Sequence, residues 1–193
     1  MGAPSPSRSA RGIRLRPIQL DDVEELRLAE FNSLGPGWRF AGATPSPQAF
    51  MERIWQGVTV QLLAVRENPR PDHSGRVGWF QAYNAEMDQG VAWIAAANFG
   101  PVSAAFGLAA AMLVDYLFDT FAFRKLYIET PESNEQMLTR LVGVMFREEG
   151  RLRDRVFRSG RFVDVGIYSI SREDWTSAER RLGLASLIEG DRS

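Results

Sequence analysis

The chain has 193 residues, 45% of them hydrophobic and 24% charged, which are the proportions of a soluble globular domain of ordinary size. A net charge of -1 argues against bulk electrostatic binding to nucleic acid or to an anionic membrane. The chain has no cysteine, which excludes a disulfide framework and a thiolate site, and its single histidine, His73, argues against a zinc site or a Ser-His triad.

No apolar run approaches the roughly 20 residues of a membrane-spanning helix, and the N-terminus is polar rather than a signal sequence. We therefore expect a cytoplasmic protein with no membrane and no nucleic-acid partner. Lys125 is the only lysine among 23 basic residues, a bias that indicates a GC-rich bacterial genome. The Pro- and Ser-rich start predicts a disordered tail over residues 1–12, followed by a single domain at 13–185 and a polar tail at 186–193.

The first elements after the tail are a short strand and two helices. The alternating segment Ile13 to Pro17 predicts a strand that the proline ends. Asp21 and Glu24 have the spacing of a capping box, so a helix is expected to start there. Ser46 followed by Pro47 is typical of the start of the second helix.

The segment between these helices, residues 32–44, is rich in glycine and carries Trp38 and Phe40. These aromatic residues either line a substrate pocket or fill the edge of the core, and the sequence leaves both readings open.

Three strands then follow in quick succession, at Val58 to Arg66, Arg76 to Tyr83 and Val91 to Ala97. Their connections are too short for crossover helices, which predicts an antiparallel meander.

The next stretch, residues 100–134, organises the fold. Phe106, Leu113 and Leu117 lie on one stripe of a nearly all-apolar helix, and a strand from Lys125 to Thr130 follows directly. A core helix leading into a strand indicates a parallel strand pair. Unpaired amides and the dipole at the start of this helix favour an anionic ligand.

A further helix is expected from the capping box at Ser133 to Gln136, then a hairpin over Val156 to Ser171 and a short helix after Ser171. The arginines between 147 and 161 are interpreted as a solvated hairpin rather than a nucleic-acid patch. This order predicts an α/β fold with a mixed sheet of about seven strands flanked by about four or five helices.

The chain resembles the GNAT acyltransferases over about residues 12 to 176, and specifically their Rim-type branch, named for ribosomal-protein N-terminal acetyltransferases. The similarity lies in LRP at 15–17, DYLF at 115–118, FRKLYIE at 123–129, REEGRLRD at 147–154, GRFVDVGIYSISREDW at 160–175, and Asn134 followed twelve positions later by Phe146. The resemblance implies a GNAT-like fold whose parallel strands at 91–97 and 125–130 splay apart. It implies acetyl-CoA or another acyl-CoA as co-substrate, no metal, a small-molecule amine as acceptor, and a homodimer.

The resemblance also implies which residues bind the co-substrate: Ala96, Ala97, Val102, Ser103, Ala104, Ala105, Phe106, Gly107 and Asn134. The pyrophosphate loop departs from the family pattern. One alignment places Phe106 where a small residue is usual, and shifting it by one residue places Ala105 and Gly107 at the last two small positions instead. The Gln or Arg that usually leads the loop has no counterpart, so the expected phosphate grip is degenerate.

Acyl transfer to an amine needs a base, donors for an oxyanion and a proton for the leaving thiolate. Glu129, at the end of a strand, is the first candidate base if partial burial raises its pKa; an ion pair with a neighbouring arginine is the alternative. Glu86 is the second candidate base and, with Trp38 and Phe40, a candidate substrate contact. Tyr83 and Tyr127 are candidate proton donors, although strand tyrosines often only pack. Asn134 either binds the pantetheine arm or stabilises a helix start.

Two functions of different classes follow. The first is an N-acyltransferase that moves an acetyl or related acyl group from CoA to a small amine such as an amino acid or a secondary metabolite, in a biosynthetic role. The second is a protein of the same fold that no longer uses CoA and acts as a ligand-binding or regulatory module, or as an enzyme of different chemistry.

Overall fold

The computed structural model describes residues 8–32, 46–69, 75–99, 103–135, 146–158 and 160–177. The strands are β1 (Arg8–Ala10), β2 (Ile13–Pro17), β3 (Val58–Arg66), β4 (Arg76–Glu86), β5 (Val91–Asn98), β6 (Lys125–Pro131), β7 (Arg147–Arg158) and β8 (Arg161–Ser171). The helices are α1 (Val23–Asn32), α2 (Pro47–Ile54), α3 (Ala104–Thr120) and α4 (Arg172–Thr176). The strands form one mixed sheet in the order β1-β2-β3-β4-β5-β6-β8-β7, which confirms the predicted α/β class. Among these helices none is long and apolar enough to cross a membrane.

The meander predicted from the sequence is confirmed. β2 and β3 have the predicted bounds, and β4, β5 and β6 continue slightly beyond their predicted ends. β3, β4 and β5 pair antiparallel in sequence order, because their connections are too short for a crossover. The helix predicted from Ser133 lies mostly outside the described residues, which show only one 3₁₀ turn at Glu132–Asn134 before residue 136.

The N-terminal tail was predicted to be disordered to residue 12, but β1 lies within it. β1 pairs with β2 through the two-residue turn Arg11-Gly12. Both turn residues have positive φ, 48° and 67°, as in the type I′ turns that match the twist of a hairpin. The hairpin was not predicted because the polar composition of residues 1–12 is also typical of a disordered tail.

β7 is also longer than predicted, since it begins at Arg147 rather than at Val156. Among the described strands it lies at the edge of the sheet and pairs with β8, beginning at Arg147 opposite Ser169. Arg151, Arg153 and Arg155 are exposed on it, and charged side chains are common on edge strands because they discourage pairing with other chains. The predicted hairpin is therefore present with these arginines exposed, and the absence of a nucleic-acid contact stays a prediction.

α3 covers one face of the sheet. It begins after Ser103, whose side chain accepts a hydrogen bond from the Phe106 amide, and a serine at this position satisfies one of the free amides of a helix start. Most of its side chains are buried against β2 to β6 and β8: Phe106, Ala109, Ala111, Met112, Leu113, Val114, Tyr116, Leu117 and Phe118. This pattern is the one the apolar sequence predicted.

α1 and α2 cover the opposite face. Leu26 of α1 and Phe50 and Ile54 of α2 pack over Leu63 and Trp79 of the sheet. α2 begins at the predicted serine cap, where Ser46 accepts a hydrogen bond from the Ala49 amide. The sheet is therefore buried between two layers of helix, and its two faces are set by the period-two alternation of each strand.

The start of α1 differs from the predicted capping box at Asp21 and Glu24. A 3₁₀ turn at Leu20–Asp22 precedes α1, and the Asp22 carboxylate accepts the Gln19 amide at 2.8 Å. Arg16 donates to both oxygens of Asp22, at 2.6 and 2.8 Å, and Arg76 donates at 3.2 Å. The hydrogen bonds from Arg16 lower the pKa of Asp22 to about 2. A buried carboxylate thus ties β2 and β4 to the start of α1.

Candidate functional site

A gap in the middle of the sheet is the main irregularity of the fold. β5 and β6 pair in parallel only from Val91 to Trp93 with Lys125 to Tyr127. Beyond that point β5 stays paired with β4 as far as Asn98, and β6 stays paired with β8 as far as Pro131. The two strands therefore separate over five residues of β5, about 16 Å along the strand. The predicted splay between the parallel strands is present.

The backbone of β5 offers amides to this gap. The amide of Phe99 donates to Val77 of β4, and the register between β4 and β5 is regular from Asn98 back to Trp93. Since backbone groups alternate from side to side along a strand, the amide of Ala97 also faces β4, whereas that of Ala96 faces the gap. Ala96 is exposed and Ala97 is buried, so Ala96 is the better placed of the two predicted residues.

The start of α3 adds a second set of amides. Ser103 accepts the amides of Phe106 and Gly107, while the amides of Ala104 and Ala105 lie in the first turn, where no preceding helical carbonyl is available. Ala104 and Gly107 are exposed, and a Cβ added at Gly107 would meet no atom within 4 Å. This opening turn carries the positive end of the helix dipole, which favours an anion.

Phe106 does not block this opening. The residue is 7% exposed, and its ring lies 5.1 Å from the ring of Phe80 in the core. It packs over Gly78, where an added Cβ would be 2.8 Å from the ring. Neither the ring nor the amide of Phe106, which is bonded to Ser103, is directed to the opening, so among residues 103–107 small side chains remain at its mouth. Val102 lies outside the described residues.

The predicted catalytic residues lie in different places. Glu129 is exposed on β6, so the partial burial expected for it is not found, and it forms no ion pair within the described ranges. Tyr83 is half-buried opposite Trp93, at the closed end of the gap. Asn134 is exposed at the end of the 3₁₀ turn after β6.

Glu86 is not brought to the gap. It pairs with Val91, five residues before Ala96 and therefore about 17 Å away along β5, at the end where β5 and β6 are joined. Trp38 and Phe40, the other predicted substrate contacts, lie outside the described residues.

A row of aromatic side chains crosses the end of the gap where β5 and β6 pair, and the place of Trp93 in it was not predicted from the sequence. Trp93 stacks on Tyr127 with ring centroids 5.0 Å apart, and Tyr83 is opposite Trp93. The Lys125 ammonium lies 5.5 Å from the Tyr127 ring centre and 2.7 Å from Glu149. Hydrogen bonds from Lys125 and then Ser169 lower the pKa of Glu149. This row lies on the face of the sheet that α1 and α2 cover.

A buried amide pair lies beside the row on the same face. Gln61 of β3 and Gln81 of β4 are 3% and 1% exposed and directly opposite each other. The Gln61 carbonyl oxygen accepts the indole N–H of Trp79 at 3.1 Å and an amide N–H of Gln81. From the sequence, the alternation along β4 was enough to predict that Trp79, Gln81 and Tyr83 share one face of the sheet. Their hydrogen-bond partners were not predictable, because these depend on the register between β4 and β3.

The splayed parallel strands and the open helix start distinguish this architecture. The fold is that of the GNAT acyltransferases. It matches a spermidine N-acetyltransferase SpeG mutant from Vibrio cholerae with a TM-score of 0.71 and 15% identity over 87% of this chain and 98% of that one. It matches RimJ from Mycobacterium smegmatis, in complex with CoA-disulfide, with a TM-score of 0.71 and 19% identity over 94% and 93%. No protein-family model and no curated protein matches the sequence.

Proposed function

We propose that the protein is an N-acyltransferase that moves an acetyl group from acetyl-CoA, or a related acyl group, to the amine of a small molecule such as an amino acid or a secondary metabolite. The observation that carries this proposal is the meeting of two features at one end of the sheet. β5 exposes unpaired backbone beside a gap, and α3 follows within a few residues with an open first turn.

The two features suit the two ends of an acyl-CoA. The amides of Ala104 and Ala105 would bind the pyrophosphate, with Gly107 leaving space for its approach. The amide of Ala96 would donate to the oxyanion that forms when the amine nitrogen attacks the thioester carbonyl. As the C–S bond breaks, the thiolate leaves and takes a proton.

The proton transfers are assigned to side chains at the gap. Glu129 would take a proton from the acceptor ammonium, since it is exposed on β6 and forms no ion pair in the described part of the chain. Tyr83 and Asn134 are the candidates for the proton donor and for a contact with the pantetheine arm. Because RimJ and SpeG match with the same TM-score, the Rim-type branch rests on the sequence motifs alone.

The alternative is a protein of this fold that does not use CoA. The absence of the usual Gln or Arg before the pyrophosphate loop favours this alternative. The position of Phe106 in that loop does not favour it, because the ring packs inward on Phe80 and leaves the phosphate site.

A thiol-release assay separates the two functions. The protein is incubated with acetyl-CoA and a panel of amino acids, polyamines and amino sugars, and free CoA is measured over time. Release that depends on both an amine and the protein supports the acyltransferase. If acetyl-CoA at millimolar concentration neither stabilises the protein thermally nor loses its acyl group with any amine, the acyltransferase is excluded and the alternative stands.

A further inference from the structure

The buried amide pair has an orientation that one side chain fixes. An indole N–H only donates, so the Gln61 atom 3.1 Å from Trp79 must be the carbonyl oxygen. The Gln81 atom that contacts this same oxygen must then be its nitrogen. Trp79 therefore determines how both glutamine amides are turned, without any choice between flipped forms.

This orientation directs a hydrogen-bond acceptor to the gap. Gln81 lies between Gln61 on β3 and Ala95 on β5. Since its nitrogen points to β3, its carbonyl oxygen points away from β3, to Ala95 and the gap beyond. No donor to this oxygen is found within the described ranges, and the neighbouring side chain on β5, that of Ala95, is only a methyl group.

The arrangement leaves one donor unsatisfied. The Gln61 nitrogen is buried without a hydrogen-bond partner, which costs stability that two apolar side chains at these positions would not cost. A buried polar group of this kind calls for a functional explanation. Holding the Gln81 carbonyl in one direction is such an explanation.

Glu129 faces the same space from the other strand. Trp93 is level with Tyr127 where β5 and β6 pair, so Ala95, two residues on, is level with Glu129 across the gap. Side chains two residues apart share a face of a strand, and Gln81, Ala95 and Glu129 therefore lie in one row on the face of α1 and α2. The aromatic pair Trp93 and Tyr127 lies beside this row.

We propose that Gln81 selects a protonated primary amine as the acyl acceptor, by accepting one ammonium N–H while the Glu129 carboxylate accepts another. Gln61 and Trp79 are positioning residues for the Gln81 carbonyl. The stem of the amine lies along the rings of Trp93 and Tyr127, so the acceptor is a small alkylammonium compound. This assignment rests on the proposed acyltransferase function.

The kinetic test uses Gln81→Met, which keeps the length of the side chain and removes the oxygen. The KM for the amine should rise about tenfold, the effect of losing a hydrogen bond to a charged group, with the Kd for acetyl-CoA and the kcat at saturating amine unchanged. Gln48→Met, on the exposed surface of α2, is the matched control and should leave KM unchanged. An unchanged KM in Gln81→Met overturns the assignment.

The positioning role has its own variants. Gln61→Met removes the oxygen that holds Gln81 and should raise the KM for the amine by about threefold, without a change in kcat. Gln61→Glu keeps an oxygen for both Trp79 and Gln81 and should restore the normal KM. If Gln61→Glu is as impaired as Gln61→Met, or if both change only the melting temperature, Gln61 does not position Gln81.

A binding measurement separates this assignment from the proposed function. In a ¹⁵N-resolved NMR titration of the wild-type protein with butylammonium, the side-chain amide signals of Gln81 should shift to saturation, and butanol should leave them unchanged. A saturable shift supports the amine site even if no acyl transfer is found. Equal shifts with both compounds, or none with either, overturn it, whatever the thiol-release assay shows.

Discussion

The two ends of α3 are built differently. At the C-terminal end the guanidinium of Arg172 donates to the carbonyls of Phe118, Phe121 and Phe123 at 2.5, 2.5 and 2.7 Å. At the N-terminal end the described residues supply Ser103, which accepts amides of the first turn without adding a charge. The carbonyl of Phe118 in the last turn, and those of Phe121 and Phe123 just after it, therefore have a cationic partner within the chain. The amides of Ala104 and Ala105 are the ones that we propose for a ligand.

The difference separates stability from binding within one helix. Both ends have unpaired backbone groups and opposite partial charges. The end satisfied by a side chain should contribute to the free energy of unfolding, and the end left open should contribute to affinity for an anion. A variant at either end of α3, or of a core residue that packs there, should therefore change either the free energy of unfolding or the affinity for an anion, but not both.

The largest change in the free energy of unfolding is expected for Phe106, in the first turn of α3. Phe106→Ala removes a ring that packs on Phe80 in the core and should lower the free energy of unfolding by about 4 kcal/mol, measured by urea denaturation. The Kd for acetyl-CoA, measured below the unfolding range, should be unchanged because the ring faces inward. Tighter binding in this variant would mean that the ring obstructs the mouth.

The C-terminal end of α3 should give the next largest change in the free energy of unfolding. Arg172→Met should lower the free energy of unfolding by about 3 kcal/mol, because it leaves carbonyls without their charged donor. Arg147→Met is the matched control: Arg147 forms an exposed ion pair with Asp174 at 3.0 Å, and its loss should cost less than about 1 kcal/mol. A weaker affinity for acetyl-CoA in Arg172→Met, with no loss of stability, would reverse the roles of the two ends.

At the start of α1 the anion is a side chain of the protein itself, the carboxylate of Asp22. Its pKa falls from 3.8 to about 2 on folding because Arg16 and the Gln19 amide bind the charged form. The stabilisation is complete above about pH 4 and is lost as pH falls through 2, so the free energy of unfolding should drop by about 2 kcal/mol over that window. In Asp22→Asn this part of the pH dependence should disappear, whereas in Asp21→Asn, an exposed neighbour, it should remain.

The smallest effect is at the cap itself. Ser103→Ala should cost about 1 kcal/mol of stability, and Ser46→Ala at the start of α2, where the serine accepts the Ala49 amide at 3.2 Å, should cost a similar amount. Neither change should alter the Kd for acetyl-CoA more than about threefold, because Ser103 binds the Phe106 amide and not the open amides. A much larger loss of affinity in Ser103→Ala would place its hydroxyl in the ligand site.

Much of the fold could be predicted because the signal was local. The bounds of β2 and β3 and the serine cap of α2 follow from alternation and from the residues at each end. β1 and the first part of β7 were missed, since polar tails and charged edge strands look alike in composition. Both segments are strands because they pair with a neighbouring strand, β1 with β2 and β7 with β8. Composition alone does not show such pairing.

The site was harder to predict because its parts meet only through the sheet. The direction of the Phe106 ring depends on Gly78 of β4, and the contact of Gln61 with Trp79 depends on the register of β3 and β4. The aromatic row likewise requires Trp93 and Tyr127 to be level across a parallel pair. Residue types suggested the chemistry, but long-range register decided which side chains share a face.

The most direct test places an acidic residue at the open end of α3. Ala104→Glu adds a carboxylate to the first turn, which the helix dipole should tolerate or favour by about 0.5 kcal/mol, while the new charge repels a pyrophosphate. Calorimetric titration should show one acetyl-CoA per wild-type chain and at least about tenfold weaker binding to Ala104→Glu, with no loss of melting temperature. No heat with the wild-type protein, or equal affinity in the two proteins, would contradict the anion site at the start of α3.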